Sequence, residues 1–360
     1  MKYIFVIQGE GRGHLTQALS MSQLLRKNGH TIEHVLVGKC HNREIPQFFL
    51  NKIECDVTQY DAPSMDYGRG GKSANIITTI LQNSTPIQLN RYRKSIDTIH
   101  DTIERSDADV VINFYDLLLG ATNILKRIHR PIISIGHQYL IDHPKFRHND
   151  TTLEGRSFIL KLNNMISSYG SYKRLALSFY PMERSFSPRV EVVPPLLRPE
   201  IFDLKATKGD YILGYMLNPA YLKEVIKWKR RNSATEVHIF WDKEGAEECR
   251  EEMPGLWLHK LNDKKFLEYM AGAKGYVTTA GFESICEAIY MGKPTLMIPA
   301  HIEQEVNAAD AHGVNAGEVA NEFNLSLLNK AIENYKANRE EFQKWVHEAD
   351  EILLNAVTML

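Results

Sequence analysis

The chain has 360 residues, of which 43% are hydrophobic and 24% charged, with a formal net charge of −1. This length accommodates two domains, each with its own core, and the balanced charge does not indicate a nucleic-acid partner. No run of eighteen uncharged apolar residues is present, so no membrane-spanning helix is predicted. Residues 1–200 hold 25 Lys and Arg against 19 Asp and Glu, a net +6, and residues 201–360 hold 18 against 25, a net −7. The asymmetry indicates either different partners for the two halves or ordinary variation between two domain surfaces.

The first residues and the cysteines favour a cytoplasmic protein. The start, MKYIFVIQGEG, is a short apolar run without a small-residue cleavage site, so it predicts a first strand rather than a signal peptide. The four cysteines, Cys40, Cys55, Cys249 and Cys286, are scattered. Because no two have CxxC spacing, they predict neither a zinc site nor a disulfide framework, and a reducing compartment fits them best.

Short β-branched runs alternate with segments of helical periodicity along the chain. In the first half, the predicted strands are YIFVIQG, TIEHVLVG, DVVINFYD, PIISIGH and LALSFYP. TQALSMSQLLRKNGH predicts a helix that stops at Gly29, and residues 73–105 are predicted to be mostly helical. In the second half, the predicted strands are DYILGYM, TEVHIFW, GYVTTAG and PTLMIPA. This alternation predicts parallel sheets with crossover helices.

A proline-rich stretch, VEVVPPLLRPEIFDLKATKGD, predicts the domain boundary, since helical and strand periodicity are lost there. The predicted fold class is α/β, with two doubly wound, Rossmann-like domains facing each other across a cleft. The predicted bounds are residues 1–195 for the first domain and 208–335 for the second. Residues 336–360 are predicted to form a helix that packs back across the junction.

The segment TTAGFESICEA, residues 278–288, runs from a predicted strand through a glycine into a predicted helix. A helix that begins beyond the carboxyl end of a strand presents free backbone N–H groups and a partial positive charge, which suit a phosphate. Gly281 allows close approach of the backbone, Ser284 adds a hydroxyl, and Glu287 follows three residues later on the same face. A capping serine with a solvated glutamate is the structural alternative.

The continuation, EAIYMGKPTLMIPAHIEQEVNAADAHGVNAG, places Gln304 and Asn307 at definite offsets from Glu287. Together the two segments resemble the nucleotide-sugar donor site of GT-B glycosyltransferases, which include the UDP-glycosyltransferases and the glucosaminyltransferases of peptidoglycan-precursor synthesis. In the first group the segment reads His-Cys-Gly-Trp-Asn-Ser, then two variable residues and Glu. Here Phe282 replaces the tryptophan, and Thr279 replaces a histidine that contacts the pyrophosphate.

The resemblance implies a role for each matching position of the second domain. Glu287 would bind the ribose, and Glu303 with Gln304 would contact sugar hydroxyls. Leu261 or Asn262 would flank the base. The family's glycine-rich turn after the first strand of this domain is not evident, and Asn218 is only a weak candidate for it. The remaining implied donor-site residues are Thr279, Gly281, Phe282, Glu283, Ser284 and Asn307.

The first predicted strand ends in a second glycine turn, GEGRGHL. It fails as a dinucleotide-binding fingerprint because His14 occupies the place of the third glycine. In GT-B families a glycine-rich loop that ends in Gly-His follows the first strand, and Gly9, Gly11, Gly13 and His14 match it. The resemblance implies that His14 is the general base, with Asp116 at the end of DVVINFYD as its partner. A histidine that caps a helix or contacts the acceptor without proton transfer is the alternative.

Other motifs are less specific. GRGGKS, residues 68–73, lacks the first glycine of a phosphate-binding P-loop, because Asp66 occupies that position, and it favours a loop on the acceptor side. His137, His143 and His148 have spacings that suit neither face of a helix for a metal. They favour a loop at the cleft edge, with His137 facing the cleft.

The resemblance implies an inverting, metal-independent transfer of a sugar from a nucleotide-sugar, with a UDP-sugar expected and no bound cofactor. One alternative is a nucleotide-sugar hydrolase or epimerase on the same fold. The other is a non-catalytic nucleotide-sugar-binding protein, against which the Gly-His loop argues. Fold by itself does not decide among them.

The acceptor is less defined than the donor. The segment EGRSFILKLNNMISSYGSYKRLAL interleaves apolar residues with basic ones and predicts either weak attachment to an anionic membrane face or ordinary packing on its own domain. The first possibility implies a lipid-linked or anionic acceptor, and the second a soluble one. The basic residues are Arg156, Lys161, Lys173 and Arg174, and the apolar residues are Phe158, Ile159, Leu162 and Ile166.

Overall fold

Each half of the chain folds around its own β-sheet in the computed structural model, which confirms the predicted class of two doubly wound α/β domains across a cleft. The structure describes the following residues: 1–39, 44–65, 76–146, 151–183, 185–187, 189–216, 221–241, 243 and 245–359.

The first sheet follows the order β3-β2-β1-β4-β5-β6-β8-β7, and its pairs are parallel apart from β7 with β8. The central strands are buried along nearly their whole length because helices cover both faces. The strand bounds are β1 Lys2–Gln8, β2 Thr31–Lys39, β3 Val57–Asp61, β4 Val110–Phe114, β5 Ile132–Gly136, β6 Lys173–Leu177, β7 Ser185–Ser187 and β8 Val190–Val193.

The second sheet follows the order β11-β12-β10-β9-β13-β14-β15, and β11 is its antiparallel edge strand. The point where the strand order reverses lies between β9 and β13, and a doubly wound domain binds its ligand at such a point. The strand bounds are β9 Tyr211–Met216, β10 Glu236–Trp241, β11 Cys249–Met253, β12 Leu256–Lys260, β13 Gly275–Thr278, β14 Thr295–Met297 and β15 Gly317–Val319.

Helices connect the strands and cover the sheets. Two short 3-10 helices, His137–Asp142 and Pro199–Ile201, lie at the end of β5 and in the linker. The α-helices of the first domain are α1 Gly13–Lys27, α2 Gln47–Ile53, α3 Ile76–Asn83, α4 Pro86–Arg105, α5 Leu117–Lys126 and α6 Thr151–Ser167. Those that follow are α7 Leu222–Arg231, α8 Asp263–Gly272, α9 Phe282–Tyr290, α10 Ile302–Gly313, α11 Leu325–Asn334, α12 Arg339–His347 and α13 Ala349–Thr358.

The C-terminal segment returns to the first domain, as predicted, although it forms two helices rather than one. Trp345 on α12 donates its indole N–H to the Ser178 carbonyl at 3.1 Å, and α12 also contacts α9 of the second domain. At the end of α13, the Val357 carbonyl accepts a hydrogen bond from Tyr3 at 3.1 Å. The segment therefore packs on both domains.

Most of the strands that the sequence did not predict are short, polar or at sheet edges, but β12, with the sequence LWLHK, is internal to its sheet. β7 and β15 have three residues each, and β11 reads CREEM, without strand alternation. β8 lies inside the stretch interpreted as linker, because its prolines follow the strand rather than interrupt it. The last strand of the first sheet thus ends at Val193, and the first of the second sheet begins at Tyr211.

Candidate functional site

A cavity of about 1,230 Å³, including its open mouth, lies where the two domains meet. The glycine turn after β1 and the 3-10 helix after β5 form its first-domain wall. The starts of α8, α9 and α10 form the opposite wall. All but two of the predicted site residues line it, namely Gly11, Gly13, His14, His137, Leu261, Thr279, Gly281, Phe282, Glu283, Ser284, Glu287, Glu303, Gln304 and Asn307.

Side chains from the first turns of α10 stabilise the turn between β13 and α9. Ala280 has a left-handed backbone, with φ of 64°, which a residue with a side chain adopts only when its surroundings enforce it. Asn307 donates its amide to the Ala280 carbonyl at 3.1 Å, and the Gln304 amide nitrogen donates to the Thr279 hydroxyl at 3.5 Å. Asn307 and Gln304 therefore support the turn in addition to lining the cavity.

The start of α9 is open toward the cavity. Its N-cap residue, Gly281, makes no side-chain capping hydrogen bond, and the Ser284 hydroxyl donates back to the Gly281 carbonyl at 3.1 Å. The first backbone N–H groups of a helix have no partner within the helix. An anion could be bound there, as the sequence pattern indicated.

Glu287 is buried, with 2% of its surface exposed, and it forms a bidentate ion pair with Arg198. The Arg198 Nε and Nη2 atoms lie 2.6 and 2.8 Å from the two carboxylate oxygens of Glu287. Arg198 comes from the proline-rich linker, which the sequence analysis treated only as a boundary. It orients the carboxylate that the family resemblance assigns to the ribose.

A second, longer ion pair joins the domains at the edge of the cavity next to Leu261. Arg12 in the first glycine turn lies 3.9 Å from Asp263 at the start of α8, and its guanidinium lies 5.6 Å from the centre of the Phe48 ring. Leu261 lines the cavity beside them. Asn262 does not line it, because its side chain caps α8 by accepting from the Lys265 N–H at 3.0 Å.

His14 lies at the first turn of α1 and faces the cavity, as predicted. Burial lowers its pKa to about 4, so the imidazole is neutral at pH 7. Its Nδ1 atom lies 3.3 Å from the Gln17 side-chain oxygen, and its ring stacks on Tyr115 at a centroid distance of 5.8 Å. Tyr115 has a φ of 58°, a strained conformation that directs its ring toward the histidine.

The predicted pairing of His14 with Asp116 is not formed. Asp116 is buried at the end of β4, where its carboxylate caps α5 by accepting from the Leu119 N–H at 2.9 Å. Burial raises the pKa of Asp116. The N–H group that Asp116 caps is only three residues away in the sequence. This hydrogen bond occupies the carboxylate that a contact with His14 would need. Gln17 is the residue that contacts His14 instead.

Two carboxyl groups of the second domain reach amides of the first. Gln17 on α1 donates to Glu283 on α9, and Gln138 donates to Glu303 on α10 at 2.7 Å. Burial raises the pKa of both carboxyl groups to about 7. These contacts join opposite walls of the cavity at two points.

His137 contacts the second domain deep in the cleft. Its ring stacks on Phe282 at a centroid distance of 4.1 Å, and its Nδ1 atom lies 2.7 Å from the Leu177 carbonyl. Its Nε2 atom lies 3.4 Å from Asp310, whose pKa is raised to about 7 by burial. His137 therefore faces the cleft, as predicted, and packs there against Phe282 of the second domain. His143 is buried outside it, with its Nε2 atom 3.4 Å from the Glu183 carbonyl.

Several predicted features lie outside the described residues. They are Asn218, His148, the GRGGKS loop and the side chain of Arg156. The sequence analysis missed Gln17 and Gln138, which follow the predicted histidines closely but belong to no motif. It also missed Arg198, for which no local sequence signal exists.

Comparison with known proteins agrees with the architecture. Residues 1–336 match the family model described as glycosyl transferase family 1. No curated protein sequence matches the chain significantly.

The chain is also similar to solved structures of low sequence identity. Phytolacca americana UGT2, complexed with UDP-2fluoro-glucose and pterostilbene, has a TM-score of 0.63 and 13% identity, over 99% of this chain and 98% of that one. Arabidopsis thaliana UGT89C1, complexed with UDP, has a TM-score of 0.61 and 16% identity, over 97% and 94%. CalG4, the calicheamicin glycosyltransferase, has a TM-score of 0.60 and 14% identity, over 99% and 98%. The fold is therefore that of GT-B glycosyltransferases, and by its match over residues 1–336 the chain belongs to glycosyl transferase family 1.

Proposed function

We propose that the protein transfers a sugar from a nucleoside-diphosphate sugar, with UDP as the expected carrier, to an acceptor hydroxyl with inversion and without a metal ion. One observation carries the proposal. The His14 turn of the first domain and the open N-terminus of α9 in the second line the same cavity. Two of the similar structures are complexes with UDP or a UDP-sugar derivative, which supports a donor of this class for the present chain.

In this mechanism, His14 removes the proton of the acceptor hydroxyl as the oxygen attacks the anomeric carbon. Its neutral form at pH 7 can accept a proton, although a pKa near 4 makes it a weak base in the empty cavity. The α9 N-terminus and the Ser284 hydroxyl stabilise the leaving diphosphate.

A hydrolase or an epimerase would use the same donor site without an acceptor. A hydrolase would form free sugar, and an epimerase would form an epimer, from the nucleotide-sugar alone. A transferase would need the acceptor as well. A non-catalytic binding protein would release neither. Incubation with the donor in the presence and absence of acceptors distinguishes the three.

Glu287→Gln is expected to weaken nucleoside-diphosphate binding by about 1–3 kcal/mol, the scale of losing a charged hydrogen-bond partner. A thermal-shift panel of nucleoside diphosphates and nucleotide-sugars first identifies the ligand, since ligands that bind only the native state raise its stability. Calorimetry then compares the variants. Glu322→Gln, an exposed carboxylate outside the cavity, is the control. Unchanged affinity in a folded Glu287→Gln protein would remove Glu287 from ribose binding.

We further propose that an anionic membrane leaflet carries the acceptor. None of the helices within the described residues is both long and apolar enough to cross a membrane. The helices α3, α4, α5 and α6 instead expose large apolar side chains, and α4 packs on α5, which packs on α6. We call this set the α3–α6 face. It consists of Ile77, Ile80, Leu81, Ile87, Leu89, Ile124, Leu125, Phe158, Leu162 and Met165 on these helices, with Tyr169 and Tyr172 in the segment that follows α6, each 40–71% exposed.

Basic residues on the same helices suit an anionic surface. Arg93, Lys94 and Arg127 are exposed and make no ion pair within the described part of the chain. Two of the basic residues named in the sequence analysis contribute less positive charge to this surface, because they are paired with carboxylates. Lys161 pairs with Asp142 at 3.7 Å, and Lys173 is mostly buried against Glu191 at 3.1 Å.

Binding to anionic vesicles is expected at low salt and is expected to fade as salt rises, because each basic residue contributes about 1 kcal/mol near such a surface and salt screens it. Co-sedimentation with phosphatidylserine-containing and neutral vesicles measures this. Phe158→Ser with Met165→Ser should weaken binding, whereas Met359→Ser, 68% exposed at the C-terminal end, should not. No sedimentation with anionic vesicles at low salt would contradict the membrane proposal and leave the donor site unaffected.

A further inference from the structure

A chain of two hydrogen bonds links the first glycine turn to the second across the domain interface. The His14 Nδ1 atom lies 3.3 Å from the Gln17 side-chain oxygen, and the Gln17 side-chain nitrogen donates to the Glu283 carboxylate. His14 and Gln17 lie on the first two turns of α1, three residues apart, so they share one face of the helix. Glu283 lies at the start of α9 in the other domain.

The direction of these hydrogen bonds determines the tautomer of His14. The ionised form of Glu283 only accepts, so in that form the amide nitrogen of Gln17 must face Glu283. The amide oxygen of Gln17 then faces His14, and because it can only accept, the proton of the neutral imidazole must lie on Nδ1. The Nε2 atom is left with a free lone pair, as a general base requires.

Close packing holds Glu283 against the glycine turn. A Cβ atom added to Gly13 would lie 2.1 Å from a carboxylate oxygen of Glu283, so a larger residue at this position would displace the carboxylate. Glu283 makes no ion pair among the residues that the structure describes, and its side chain accepts a hydrogen bond from Gln17. On the opposite side, the Tyr115 ring stacks on the imidazole and limits its rotation.

We propose that Gln17 and Glu283 are positioning residues for His14, which hold its imidazole in the Nδ1–H tautomer only while the two domains are in contact. The proposed function gives neither residue a part in orienting His14, and Asp116 is not available for that part because it caps α5. Since Glu283 belongs to the domain with the proposed donor site, opening of the cleft would break the chain and leave the base unoriented. The inference rests on the proposed function only in treating His14 as the base.

The tautomer can be measured without knowing the substrate. Long-range ¹H–¹⁵N correlation spectra of the histidine-labelled full-length protein report which imidazole nitrogen carries the proton, and the His14 signals are assigned by their loss in His14→Gln. In the wild type, His14 is expected to show a protonated Nδ1 and an unprotonated Nε2. In Gln17→Ala, the signals should move toward the Nε2–H tautomer that free histidine favours.

Further variants separate positioning from general disruption. Glu283→Leu should have the same effect as Gln17→Ala, whereas Glu283→Gln keeps an acceptor oxygen and should preserve the wild-type tautomer. Gln138→Ala is the matched control, because it removes the other amide–carboxyl contact across the cleft without touching His14. If Gln17→Ala does not fold, Glu283→Leu provides the same test from the other domain.

Kinetics provide the second readout once a donor and an acceptor are known. Gln17→Ala is expected to lower kcat by about 10- to 100-fold, less than the 10²- to 10⁴-fold contribution of a general base because His14 itself remains, with little change in the donor KM. His14 nitrogen shifts that are identical in the wild type, Gln17→Ala and Glu283→Leu would overturn the inference. A tautomer that depends on Gln17 in a protein without transferase activity would support positioning and reject the proposed function.

Discussion

Replacement of His14 by alanine is expected to lower kcat for sugar transfer by about 10²- to 10⁴-fold, the usual contribution of a general base. Nucleoside-diphosphate affinity should change little, because His14 lies on the first-domain wall while the proposed diphosphate site lies at α9. Initial-rate kinetics give kcat, and calorimetry gives the affinity. Full turnover with weakened donor binding would assign His14 to the donor instead.

The pH profile adds an independent check on His14. A base must be deprotonated to act, and burial lowers the pKa of His14 from 6.5 to about 4. The acid limb of kcat/KM, which reports on the free enzyme, is therefore expected near pH 4 rather than near pH 6.5. This limb should be absent from the residual activity of His14→Ala. A limb near pH 6.5 in the wild type would indicate a more exposed base.

Glu287→Ala is expected to lower the free energy of unfolding by about 3–5 kcal/mol, because it leaves the Arg198 guanidinium buried without its bidentate partner. The two side chains are only 12% and 3% exposed, so water cannot replace the lost carboxylate efficiently. Chemical denaturation of both proteins at neutral pH measures the difference. Glu287 thus combines a structural role with the proposed contact to the ribose, and binding data on its variants require folded protein.

An exposed ion pair of similar length is the matched control. Lys52 and Glu200 lie 2.6 Å apart with side chains 39% and 41% exposed, so Glu200→Ala should cost only about 0–1 kcal/mol. Replacing the buried pair as a unit, by Arg198→Met with Glu287→Leu, should cost much less than Glu287→Ala, since no charge is left unpaired. If Glu287→Ala and Glu200→Ala lowered the free energy of unfolding equally, burial would not make an arginine or lysine depend more strongly on its carboxylate partner.

The two glycine turns were predictable from the sequence because their signals are local. A β-branched run, a glycine and a helical period follow one another within about ten residues in GEGRGHL and TTAGFES. The alternation of strands and helices likewise predicted two doubly wound domains, and the position of ligands in such domains predicted which loops would line a cleft. Strands such as β11 and β15 were missed because edge strands need little apolar periodicity.

Only the tertiary structure decided which side chains meet. Arg198 and Glu287 are 89 positions apart, and Gln17 and Glu283 are 266 positions apart, so no local pattern relates them. For Asp116 the sequence suggested a contact that the structure does not have. Its position at a strand end made it a candidate partner for His14, but its carboxylate instead accepts from a backbone N–H three residues away. Periodicity and turn chemistry act over neighbouring residues and are readable from the sequence. Pairing across the cleft depends on sheet order and on how the two domains pack, which are set by the whole chain.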